Sequence, residues 1–165
     1  EPYRRQRQMC IRDRFRKRAS LSSSSLSIVS ELKSGSAWYV PGGCSTIGRL
    51  FNDACGRYAF AGDKHSGSIP LAFETVFDKA GDADVWTIKY NRDRDMTYSD
   101  LKADYIGYTG FKAFKTRNIY GCNTAKVPFY EETPFRPDYL LSDLIQILHP
   151  EIGEFRRFAL FLQIE

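Results

Sequence analysis

The chain has 165 residues, 42% hydrophobic and 15% aromatic, which fits one packed domain and excludes a disordered polymer. Its formal charge of +4 has a local origin: residues 1–18 hold eight Lys/Arg and two acids, leaving 16 basic against 18 acidic residues in the remainder. The folded part therefore lacks the basic stripe that nucleic acid requires. No apolar run reaches the ~18 residues of a membrane-spanning helix, and the basic start is not followed by the apolar core and cleavage site of a secretory signal.

The run Arg4-Arg5-Gln6-Arg7-Gln8-Met9-Cys10-Ile11-Arg12-Asp13-Arg14 resembles one reading frame of a transposase-based sequencing adaptor. Residues 1–14 are accordingly read as foreign to the fold; the other reading is a basic tail for nucleic acid or anionic lipid. Residues 15–25, rich in Arg/Lys and then Ser, read as a disordered junction.

Residues 26–32 (LSIVSEL) are short, apolar and partly β-branched, and predict a strand. Trp38 to Gly43 contains Pro41-Gly42-Gly43 and reads as a loop. Ser45 caps a predicted helix over 46–58, with Ile47, Leu50, Phe51 and Ala54 on one face. A polar loop over 62–67 precedes a second predicted helix over 70–80, which Pro70 opens. Residues 85–90 (VWTIKY) are the clearest strand. A short helix follows over 97–104, then one over 111–117, and a strand over 118–122. A Pro-containing loop leads to a last helix from Pro137 or Asp138 to about Leu148, with Tyr139, Leu140, Leu144, Ile147 and Leu148 as its stripe; His149-Pro150 stops it. Strands separated by helical crossovers imply an α/β lobe: a mainly parallel sheet flanked by helices in three layers.

Ligands of such sheets sit outside the carboxyl ends of the strands. Three loops leave those ends, carrying Trp38 and Tyr39, then Lys89 and Tyr90, then Tyr120 and Asn123. Aromatic faces, an amide and an ammonium suit an organic ligand held by stacking and hydrogen bonds, and not a bare cation, which needs clustered carboxylates or His. The competing reading is that Trp38 caps the core and that Tyr90 and Tyr120 pack at the lobe edge. Cys10, Cys44, Cys55 and Cys122 form no CxxC pair, and whether Cys44 and Cys55 join depends on their Cα separation. His65 and His149 have no sequence-adjacent nucleophile, and no local signature surrounds Cys122, so the chain is not read as an enzyme. The pairs Asp82/Asp84, Asp93/Asp95 and Glu131/Glu132 read as solvated loop charges.

The segments WYVPGG, LFNDA, GSIPLAFETVF, DADVW, MTYSDLKADY, RNIYGCNT and PDYLLSDLI, in that order, resemble the Bacteroidetes-type iron-complex substrate-binding proteins of class III ABC importers, from about Ser27 to Glu151. The resemblance implies two lobes with ligand between them, and places residues 26–151 at the carboxyl-terminal lobe. By this resemblance an amino-terminal lobe, a joining helix and an export signal are expected to lie outside this sequence. It further implies an envelope location, periplasmic or lipid-anchored, an ABC permease as partner, and a small-molecule metal chelate as cargo: an iron-siderophore, haem or cobalamin. No resident cofactor or metal is implied. Ser68 to Glu74 is similar to the helix start at which a surface Glu docks onto Arg residues of the permease, and Glu74 holds that position. Beyond Glu151 the pattern fades, and 152–165 read as a tail, either divergent or in a shifted frame. The rival readings are a protein-interaction module using the aromatic loops, and a small hydrolase using Cys122 or His65.

Overall fold

In the computed structural model, which describes residues 2–22, 25–152 and 158–165, the chain runs α1 (Pro2–Ser20), β1 (Ser27–Ser30), β2 (Lys33–Ser34), β3 (Ala37–Pro41), α2 (Thr46–Asp53), β4 (Arg57–Tyr58), β5 (Ser68–Leu71) and α3 (Phe73–Ala80). It continues through β6 (Val85–Tyr90), α4 (Tyr98–Asp104), a 3-10 turn (Ile106–Gly110), α5 (Lys112–Lys115), β7 (Ile119–Asn123), α6 (Phe129–Glu132), α7 (Pro137–Leu148), a second 3-10 turn (Pro150–Ile152) and β8 (Leu162–Gln163). The main sheet has the order β4-β1-β6-β7-β8; its first four strands are parallel and β8 is antiparallel to β7. The α/β lobe read from the sequence, with a mainly parallel sheet between helices, is the architecture found.

Side chains alternate across β6. Thr87 and Lys89 face Phe51 of α2 and Leu140 and Leu144 of α7. Trp86 faces the opposite way, against Trp38, Tyr108 and Phe111. α7 contributes a face of fully buried leucines and isoleucines, and α1 packs along it, burying Ala19. The helix caps follow the sequence: Ser45 Oγ accepts from Gly48 N, and Thr97 with Asp100 forms a reciprocal capping box.

Four local readings are corrected. Residues 37–41 are a strand rather than a loop, pairing antiparallel with β2 and β5, so that Trp38 points inward and Tyr39 outward. Pro70 lies in the edge strand β5, where a missing N–H costs no ladder bond, and α3 begins at Phe73. α2 ends at Asp53 because Cys55 adopts a left-handed φ of 56° and the next residues, Arg57 and Tyr58, pair with β1. The junction read as disordered over 15–25 is helical through Ser20, in a run without interior Gly or Pro. Ser23 and Ser24 lie outside the described residues, as do residues 153–157 of the tail. Residues 158–165 of that tail fold back onto the sheet, burying Leu160, Phe161 and Ile164.

Candidate functional site

The carboxyl ends of β1 and β6 bring Glu31 and Lys89 together. Lys89 Nζ lies 2.7 Å from Glu31 Oε1, and the side chains are 20% and 19% exposed. The ammonium also stands 5.1 Å from the Phe129 ring and 5.9 Å from the Tyr130 ring, both on α6. Beneath the pair lies a narrow cavity of about 10 Å3, lined by Ser30, Ile47, Thr87 and Phe129 among others, room for about one water. Burial pushes the Glu31 carboxyl above its ordinary range, and Lys89 offsets part of that rise. Glu31 has φ 70°, a left-handed backbone pinned on both sides: its N–H donates to Thr87 O and its carbonyl accepts from Trp86 Nε1. Such strain is held only where the surroundings over-determine it.

The structure distributes the six cleft residues read from the sequence rather than gathering them. Lys89 is at the mouth just described. Trp38 is wholly buried, stacked on Trp86 with its indole N–H on Ser30 O, and offers no surface to a ligand. Tyr39 is exposed on the small sheet opposite Pro70. Tyr90, one residue after Lys89, points to the other face, where it lines an open groove of about 690 Å3 beside β8 together with Asn123. Asn123 is a structural tie, donating to Arg92 O and Arg94 O and accepting from Arg92 N and Ala125 N. Tyr120 is half-buried near the start of β7, against Phe158. Glu74 is exposed in the first turn of α3.

Glu31, Phe129 and Tyr130 did not emerge from the sequence. The signal for Glu31 was an acid closing the apolar run of β1, at the sheet end where Lys89 closes β6. The residues raised for hydrolysis are poorly placed. Burial pushes the Cys122 thiol up to about 12, which denies it the thiolate a nucleophile needs. His65 is exposed beside Asp63, and both ring nitrogens of buried His149 are bonded, to Ala54 O and Ser22 Oγ. All four cysteines are free. Among the described residues no His/Cys/Asp/Glu group could hold a metal, and no helix is long and apolar enough to cross a membrane.

The parallel sheet thus presents one charged and aromatic wall at its carboxyl ends. The sequence profile described as periplasmic binding protein matches residues 13–125, and the chain belongs to that family. An uncharacterized lipoprotein of Methanocaldococcus jannaschii is 31% identical over 126 residues, covering 76% of this chain and 29% of the relative. Among solved structures, the TroA-like periplasmic binding protein FepB from Veillonella parvula superposes with a TM-score of 0.68 at 14% identity, over 96% of this chain and 54% of that one. A periplasmic heme binding protein from Pseudomonas aeruginosa gives 0.67 at 14% identity, over 97% and 55%. At that identity the likeness shows the fold, that of one lobe of a class III, TroA-like binding protein. The chain spans about half the length of these structures and under a third of the lipoprotein.

Proposed function

We propose that the chain is the carboxyl-terminal lobe of an importer's substrate-binding protein, and that the carboxyl-end face of its sheet is one wall of the ligand cleft. The observation carrying this reading is the Glu31–Lys89 pair flanked by Phe129 and half-solvated Tyr130, at the strand ends where α/β sheets bind ligands. The cargo is an iron complex, siderophore or haem, or cobalamin; the heme-binding neighbour supports haem among these. The lipoprotein relative supports a place in the envelope, free in the periplasm or anchored to a membrane.

Delivery to an ABC permease is assigned to Glu74. Its exposed carboxylate, in the first turn of α3, is free to meet a guanidinium on a partner in bidentate geometry. The test is titration of the complete protein, both lobes included, with haemin, a ferric siderophore and cyanocobalamin. Saturable binding of one of them supports the reading, and binding of none of them overturns it. Glu74→Lys should abolish uptake with ligand affinity unchanged; a loss of affinity instead would remove the docking role.

A further inference from the structure

Resting on that reading of the wall, we propose that Glu31 is an internal stand-in for an anionic group of the ligand, and that Lys89 exchanges this partner for the ligand's own anion. The pair sits at the mouth of the site, and each side chain keeps about a fifth of its surface in solvent, so an incoming group can reach both. An ammonium carries three donors. Among the described residues Glu31 is the one ion-pair partner of Lys89, and the Phe129 and Tyr130 rings hold the cation from the side without using a donor. Lys89 is thus oriented before the ligand arrives, and a second acceptor can be taken without moving it far.

The bond to Glu31 is built to be exchangeable. Burial opposes the charge on this carboxylate, and the groups acting with it from the neighbouring strands are Lys89 on β6, Tyr58 on β4 and Cys122 on β7, of which only Lys89 favours the ionised form. The residue is also kept in a left-handed conformation that suits glycine. A strained, partly desolvated carboxylate at a strand end contributes little to holding a lobe together, and its place beside a lysine fits a group that occupies the anion's position while the cleft is empty. A carboxylate-bearing chelate displaces Glu31 from Lys89. A neutral ligand leaves the ion pair closed. The wall therefore selects by charge, favouring anionic cargo.

The experiment is calorimetric titration of the complete protein, both lobes included, with haemin, which carries two propionates, and with cyanocobalamin, which is neutral overall. Glu31→Gln removes the competitor and should tighten haemin binding by roughly tenfold, while Lys89→Gln should weaken it by roughly tenfold. Both changes should move cyanocobalamin binding much less than haemin binding. If Glu31→Gln melts early, Glu31→Gly removes the same carboxylate in the residue type that the backbone favours. Haemin binding that Glu31→Gln leaves equal, or weakens as Lys89→Gln does, overturns the stand-in while leaving the cleft intact. Binding of neither probe, nor of a ferric siderophore, by the unaltered complete protein overturns the cleft reading, and this inference with it.

Discussion

Trp38 and Trp86 stack with ring centroids 5.6 Å apart, and their indole N–H groups donate to consecutive carbonyls at the end of β1, Trp38 to Ser30 and Trp86 to Glu31. The two rings come from different sheets, and together with Tyr108 and Phe111 they form the aromatic core behind the wall. The pair is the physical reason the chain can hold Glu31 in a left-handed turn. Trp38→Phe keeps most of the packing and loses the hydrogen bond, so it should destabilise the fold by about 1–3 kcal/mol. Denaturant unfolding measures that loss, and the affinity of a bound ligand should change far less than the stability. An unchanged midpoint would show that the indole hydrogen bond is dispensable.

Gly43 illustrates a second constraint. At Pro41-Gly42-Gly43 a close approach is made by the chain's own backbone. A Cβ on Gly43 would meet Ala61 O at 2.2 Å and Asp63 O at 2.6 Å. Carbonyl oxygens of a packed loop cannot yield as a flexible side chain can. Gly43→Ala should therefore cost about 1–3 kcal/mol, whereas Gly62→Ala, with open space at its Cβ, should be nearly neutral. Thermal melts of the two variants side by side make the comparison, and equal midpoints would contradict it.

Asp84 ties the amino ends of β1 and β6 to α5. Its carboxylate accepts from Ser27 N, Ser27 Oγ and Lys112 Nζ. Against the cost of burial, these bonds hold its carboxyl down at about 2. A folded-state value below that of the unfolded chain means stability present above the ordinary carboxylate range and lost as pH falls toward 2. Asp84→Asn should cost about 2 kcal/mol at pH 7 and flatten the decline of stability between roughly pH 4 and pH 2. Melting temperatures of both proteins across that range are the measurement; parallel curves would show that Asp84 does not carry the acid response.

These contacts show which parts of the molecule local sequence carries. β6 is legible as VWTIKY because a central parallel strand is covered on both faces and reads as a near-continuous apolar run. Ser45, Thr97 and the stripe of α7 are legible because capping and helical periodicity act within a few residues. β3 was hidden by Pro41-Gly42-Gly43, which mark only its end, and β5 by Pro70, whose exclusion from strands is relaxed at an edge. Of the candidate site, the position of Lys89 was legible from its place at a strand end. Its partner Glu31 and the rings of Phe129 and Tyr130 were not, because register between distant strands and the path of the α6 loop bring them together. Trp38 was misplaced for a related reason: reading 37–41 as a loop removes the alternation that turns Trp38 inward and Tyr39 outward.

Asp143 is the anchor of the carboxyl-terminal segment. It is fully buried on α7, and its carboxylate accepts from the backbone N–H groups of Ala159, Leu160 and Phe161 at 2.7–3.1 Å. Those bonds set the path that carries Leu162 and Gln163 into antiparallel pairing with β7. Removing the acceptor leaves three N–H groups to find water or another partner, a loss of several charge-assisted bonds. Asp143→Ala should thus cost about 3 kcal/mol or more. Asp143→Asn, which keeps an oxygen able to stand where Oδ2 accepts three of these bonds, should cost less. Amide hydrogen exchange distinguishes detachment of the segment from general weakening. In Asp143→Ala the amides of Leu160, Phe161 and Ile164 should lose protection while those of β6 keep theirs, because β6 is held by β1 and β7 independently of β8. Uniform loss across both strands would mean that the segment folds as one unit with the sheet, and retained protection at Leu160 and Phe161 would show that the carboxylate is not what holds it.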